Sequence, residues 1–152
     1  MAEGITRILI ADDHCVVLDG IKARIAEHPE FEICGVAMDG LRAVELASSL
    51  KPDMVIMDIS MPKMNGLKAA QEIRRMGTGT RIVIFSMHNA PEYVLSLMKT
   101  GISAYVLKDG PTSDLISALK SVRNGGSYFC GPVQEILRKH STPSSRTPPS
   151  SG

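Results

Sequence analysis

The feature that most constrains this chain is a repeated change of hydrophobic period. Short runs of apolar, mostly β-branched residues alternate with segments whose apolar residues recur every three or four positions. Arg7-Ile-Leu-Ile-Ala11 stops at the pair Asp12-Asp13, and Met54-Val-Ile-Met57 stops at Asp58. Arg81-Ile-Val-Ile-Phe85 stops at Ser86, and Ala104-Tyr-Val-Leu107 at Lys108. Phe31 to Ala37 is a further strand candidate, less uniformly apolar, which suits a place nearer a sheet edge. Between these runs lie helical stripes: Val17, Leu18, Ile21 and Ile25, ending before Pro29; Leu41, Val44 and Ala47, with Asp39 as N-cap. Leu67, Ala70 and Ile73 follow the turn-like Pro62-Lys-Met-Asn-Gly66. Asn89 with Glu92 resembles a capping box, with Pro91 in the first turn of a helix through Leu97 and Met98. Thr112 or Ser113 caps a last helix with Leu115, Ile116, Leu119 and Val122, closed by Gly125-Gly126.

Five such strand–helix repeats with nearly continuous apolar strands imply an α/β fold, a five-stranded, doubly wound parallel sheet with helices on both faces. Residues 1–126 form that domain, and residues 127–140 a short linker helix or extension, helical over Val133 to Lys139. Residues 141–152 are rich in Pro and Ser without apolar content, a disordered tail or linker.

Composition removes several classes of function. A formal charge of +1 and no dense Lys/Arg cluster argue against direct nucleic-acid binding by this chain. Cys15, Cys34 and Cys130 are far apart and lack metal-ligand spacing, so they read as thiols in a reducing compartment. Neither a signal peptide nor a stretch long enough to span a membrane is visible, and a cytoplasmic protein is the expectation.

In an open parallel α/β sheet, ligands sit outside the carboxyl ends of the strands. Folding therefore carries Asp12, Asp13, Asp58, Ser86 and Lys108 to one rim. Three converging carboxylates call for a hard divalent cation, and Mg²⁺ takes one or two carboxylates with waters and a phosphate oxygen. With Mg²⁺ at Asp12 and Asp13, Asp58 can carry a phosphoryl group, Lys108 can pair with one of its oxygens, and Ser86 can donate to another. Singly, each residue has an ordinary structural reading: a helix cap for Asp12 or Asp13, a turn for Ser86, a solvated strand-end lysine for Lys108, an amide acceptor for Asp58. Jointly they do not. His14 reads as a pocket-supporting or surface histidine rather than a metal ligand, and Met61 and Met64 as packing residues.

These segments, Ile10-Ala-Asp-Asp-His14, Met57-Asp-Ile-Ser-Met-Pro62 with Asn65-Gly66, Phe85-Ser86 and Ala104-Tyr-Val-Leu-Lys108, resemble the receiver domains of bacterial two-component response regulators. The resemblance covers about Thr6 to Asn124. It implies a flavodoxin-like fold with strand order 2-1-3-4-5. It also implies Asp58 as phosphoacceptor, supplied by the phosphohistidine of a sensor histidine kinase. Asp13 and Asp58 would ligate Mg²⁺ directly, completed by the Ser60 main-chain carbonyl and by Asp12, often through water. Ser86 and Tyr105 would be the switch pair, the ring rotating inward, with output through the face of the fourth helix, fifth strand and fifth helix. Ser60 and His88 occupy positions that tune phosphoryl lifetime in this family. Such a domain is not a conventional enzyme; it catalyses its own aspartyl phosphorylation and slow dephosphorylation, and homodimerises on phosphorylation in some members.

The opening Ala-Asp-Asp-His and Tyr105-Val-Leu-Lys108-Asp109 are most similar to the branch that precedes a LuxR/NarL-type helix-turn-helix domain. Transcription would then be controlled through a DNA-binding domain outside this chain, with residues 141–152 as the start of the linker. Asp109 stands where many receivers have proline, so a cis bond after Lys108 is not expected. Two rival readings share the fold. A phosphorylation-independent interaction module would lack an acidic residue, Ser86 or Lys108, and a flavin carrier would want a Ser/Thr/Gly-rich loop where Asp12 and Asp13 stand.

Overall fold

The computed structural model describes residues 4–140; the proposed tail at 141–152 lies outside them. Strands and helices alternate throughout: β1 (Thr6–Ala11), α1 (Cys15–Ala26), β2 (Phe31–Ala37), α2 (Gly40–Leu50), β3 (Met54–Met57) and α3 (Gly66–Arg75), then β4 (Arg81–Ser86), α4 (Pro91–Thr100), β5 (Ala104–Leu107), α5 (Asp114–Arg123), β6 (Tyr128–Phe129) and α6 (Gly131–His140). Every strand pairing is parallel. The order is β2-β1-β3-β4-β5-β6, so the sheet has six strands where the sequence implies five. The added strand is only two residues long, too short to show any period, and it follows directly on the helix-ending Gly125-Gly126. β2 stands at an edge, consistent with its partly exposed pattern.

Side chains of successive strand residues leave opposite faces of the sheet and enter two separate cores. Leu9, Val55, Met57, Ile82, Ile84 and Tyr105 pack with α2, α3, α4 and α6, through residues such as Ala47, Ala70, Val94 and Val133. Ile8, Ile10, Ile56, Val83 and Val106 pack with α1 and α5, through Leu18, Ile21, Leu115 and Leu119. Each fully buried Val, Leu or Ile side chain contributes roughly 1.5–3 kcal/mol. The central strands are thereby anchored on both faces, and only their ends are free to carry polar chemistry.

Helix starts differ in detail from the expected caps. Asp39 accepts the Arg42 amide at 2.7 Å, and Asn65 caps α3 by accepting the Lys68 amide at 2.9 Å. The Asn89–Glu92 capping box does not form: Ala90 is the residue before the first turn, and no side chain caps it. Pro91 holds Ala90 extended and so starts the helix there, leaving Glu92 one position short of where a capping-box glutamate must sit. Ser113 precedes α5, but its backbone is already helical and its side chain makes no cap bond. No peptide bond among the described residues is cis, including that after Lys108.

Candidate functional site

Backbone ladders continue one residue past the strand ends and aim the polar side chains. The Asp12 amide donates to the Ala37 carbonyl at 3.0 Å, that of Asp58 to Ala11 at 3.0 Å, and that of Lys108 to Ser86 at 2.9 Å. Asp12, Asp58 and Ser86 are therefore held at the end of a buried sheet and are themselves buried, at 2%, 3% and 0% exposure. The loop after β3 is fixed from behind by Gly66, whose amide donates to the Ile59 carbonyl at 2.7 Å. A Cβ on Gly66 would lie 2.1 Å from the Asp58 carbonyl oxygen, so the close approach requires glycine.

Lys108 reaches across this rim. Its Nζ lies 2.7 Å from Asp12 Oδ2 and 3.1 Å from Asp58 Oδ2, 5.9 Å above the centroid of the Phe85 ring. One ammonium thus serves two buried carboxylates, and Asp13 adds a third negative charge. Asp12, Asp13, His14 and Asp58 bring one ligand atom each within 4.8 Å of one another. Asp13 Oδ1 is buried without a hydrogen bond. A buried carboxylate oxygen left without a hydrogen bond beside two other carboxylates is what a cation site presents to solvent-derived ions. The oxygen-rich set therefore fits Mg²⁺, with Asp12, Asp13 and Asp58 as the residues to hold it.

The sequence-predicted residues fall into two groups. Asp12, Asp13, Asp58 and Lys108 come together as described. Ser86, Tyr105 and His88 form a second, connected group beside them. Ser86 Oγ accepts the His88 amide at 3.1 Å, and the Tyr105 hydroxyl donates to the His88 carbonyl at 2.5 Å. Tyr105 is wholly buried, and that burial pushes its phenol well above the usual range, so the hydroxyl remains a donor. The His88 ring packs edge-on against Tyr93 of α4, with centroids 5.7 Å apart. Ser60 lies exposed two residues beyond Asp58.

His14 stands, as the sequence suggests, as a part-exposed histidine supporting the acidic pocket. Its Nδ1 is 3.1 Å from Asp12 Oδ1, 3.3 Å from Asp13 Oδ1 and 3.7 Å from Asp58 Oδ2. Adjacency to Asp12-Asp13 at a helix entrance was the available signal. Phe85 beneath Lys108 gave none, because an aromatic at a strand end reads as core.

Comparison with known proteins identifies the family. The family described as the response regulator receiver domain matches residues 8–120. The transcriptional regulatory protein DegU of Brevibacillus brevis is 39% identical over 133 residues, covering 88% of this chain and 56% of that protein. The nitrate/nitrite response regulator NarL of Escherichia coli K12 is 39% identical over 130 residues, covering 86% of this chain and 60% of that one. A LuxR-family two-component response regulator from Aurantimonas sp. SI85-9A1 superposes with a TM-score of 0.84 at 28% identity, covering 90% of this chain and 97% of that one. The isolated REC domain of RcsB from Salmonella enterica serovar Typhimurium, determined with the phosphomimetic BeF3-, gives 0.82 at 26% identity, over 88% and 99%. This chain spans 56% and 60% of the length of the two curated relatives. On the family match and on this level of identity, the chain belongs to the response regulator receiver domain family, beside regulators of the LuxR/NarL type.

Proposed function

We propose that this chain is a phosphoryl-accepting switch, with Asp58 as the acceptor. One observation carries the reading: Asp58 is almost fully buried, yet one of its oxygens is paired with Lys108 while the carboxylate faces two further acids. A buried carboxylate so placed serves structure poorly, because its neighbours repel it; it serves phosphoryl transfer well. A carboxylate oxygen of Asp58 attacks phosphorus, and the bond from phosphorus to the donor nitrogen breaks, its electron pair leaving with the imidazole. The Lys108 ammonium, already 3.1 Å from Asp58, pairs with one of the transferred oxygens. The Ser86 hydroxyl donates to another after leaving the His88 amide. Asp13 and Asp58, with the Ser60 carbonyl and Asp12, would hold Mg²⁺, which when bound would supply Lewis-acid neutralisation of phosphoryl charge. Slow loss of the phosphoryl group to water resets the switch, at a rate tuned by Ser60 and His88 at the pocket mouth.

The donor is the phosphohistidine of a sensor histidine kinase, in keeping with the family and its two-component relatives. Residues 1–126 carry the receiver, and 127–140 an extension packed onto it. As part of a longer protein it controls transcription through a DNA-binding domain outside this chain, in keeping with DegU, which is named a transcriptional regulatory protein. Homodimerisation on phosphorylation accords with RcsB, of which two dimers have been seen on two parallel DNAs. No helix among the described residues is long and apolar enough to cross a membrane, and the domain works in the cytoplasm.

The test is incubation with a small phosphoryl donor and Mg²⁺, followed by intact mass measurement. The wild type should gain one phosphoryl group and Asp58→Asn none. Equal labelling of both would overturn the reading.

A further inference from the structure

We infer that His14 is an additional metal ligand in this receiver, one that tilts the site from Mg²⁺ toward borderline divalent ions such as Mn²⁺ and Co²⁺. The inference rests on the acidic metal site proposed above. In an octahedron with bonds of about 2.0–2.1 Å, ligand atoms at right angles lie about 3 Å apart. His14 Nδ1 sits 3.1 Å from Asp12 Oδ1 and 3.3 Å from Asp13 Oδ1, with Asp58 Oδ2 at 3.7 Å. It therefore stands at neighbouring-ligand spacing from two of the three acids, at the mouth where the other donors converge.

The backbone fixes this position. The His14 amide donates to Asp12 Oδ1 at 2.9 Å at the residue that caps α1, so the imidazole emerges beside the carboxylates without any main-chain movement. Its side chain is 57% exposed and could extend into water, yet the ring turns inward. The other donors leave room for it. Asp12 is already engaged, Oδ2 by Lys108 at 2.7 Å and Oδ1 by the His14 amide, whereas Asp13 Oδ1 has no hydrogen bond. Mg²⁺ usually keeps several waters, and Nδ1 takes the place of one of them. A nitrogen donor among carboxylates favours later first-row ions over Mg²⁺. The bland alternative makes the imidazole only a hydrogen-bond donor to Asp12, which an arriving ion must push aside. Its removal would then strengthen binding of every ion.

Calorimetric titration of wild type, His14→Ala and His14→Asn with Mg²⁺, Mn²⁺ and Co²⁺ separates these. Both variants should lose about tenfold in affinity for Co²⁺ and Mn²⁺, with less than about twofold change for Mg²⁺. Mn²⁺ bound to ¹⁵N-histidine-labelled wild type should show a directly bonded nitrogen by pulsed electron paramagnetic resonance, absent in His14→Ala. Unchanged ratios among the ions, or tighter binding of all three by the variants, would overturn the ligand role while leaving the acidic site standing. No binding of any ion to the wild type would sink the acidic site itself, and the inference with it.

Discussion

Lys108 shows how much of this site depends on single charges. Its ammonium is the nearest cation to both Asp12 and Asp58, and all three side chains are at most 8% exposed. Replacing it with methionine strands two buried carboxylates, and breaking such a pairing costs about 3–5 kcal/mol. Urea denaturation of Lys108→Met at neutral pH should show that loss, with part of it recovered when Mg²⁺ is added. Gly66 acts by absence of a side chain. A methyl group there meets the Asp58 carbonyl at 2.1 Å, so Gly66→Ala should cost about 1–3 kcal/mol and slow phosphorylation by shifting the acceptor loop. Tyr105 adds a pH dependence at the alkaline end. Its folded value lies above the unfolded one of about 10, so folding favours the protonated phenol. The stabilisation is present in full below pH 10 and fades as pH climbs toward the folded value. Ultraviolet titration should show a late tyrosine ionisation above the usual range, and Tyr105→Phe should lose that step. These roles were unevenly legible in the sequence. Lys108 announced itself as the first charge after an apolar run, but the clearance behind Asp58 depends on how two loops approach, which no local pattern encodes.

At the scale of elements, β6 and α6 add to the surroundings of Tyr105. The sequence places the readout on a face of α4, β5 and α5. In the fold, β6 pairs with β5, and the Cys130 amide donates to the carbonyl of Tyr105 itself at 3.1 Å. Val133 of α6 is buried in the same core as Tyr105, Val94 and Leu97. Tyr128 ties β6 back to α5 by donating to Asp114 at 2.8 Å, a contact that also holds its phenol above the usual range. Any repacking of Tyr105 must therefore be felt by α6, which leads directly toward the residues beyond 140. Val133→Asp buries a charge in that core and should lower the unfolding free energy measured by urea denaturation by an amount on the order of 3 kcal/mol. A helix that merely linked domains would tolerate it. The helix at 133–139 was readable from sequence, because its apolar residues recur at helical spacing. The strand before it was not, since two residues between a glycine pair and a helix carry no periodicity.

For the whole molecule, the legible and the hidden divide along the sheet. The order of β1 to β5 follows from alternating periods plus the family resemblance, and the site follows from polar residues that end four of those strands. Both are consequences of one constraint: a strand buried on two faces has nowhere but its end to place a charge. That constraint carries an energetic corollary. Asp12, Asp13 and Asp58 are gathered by the core packing of separate segments, so the fold bears their mutual repulsion with only Lys108 fully enclosed among them. An ion that binds the gathered carboxylates and not the unfolded chain must stabilise the entire domain, by RT ln(1 + [L]/Kd). At ten times its Kd, Mg²⁺ should add about 1.4 kcal/mol, a rise in Tm of about 4 °C for a chain of this size. Asp13→Asn should abolish that rise, and should itself melt no lower than wild type without Mg²⁺, because it removes one of the repelling charges. Differential scanning calorimetry with and without Mg²⁺ measures both. A Tm insensitive to Mg²⁺ in the wild type would mean that the repulsion is met by Lys108 and solvent alone, and that the three acids are gathered for something other than a cation.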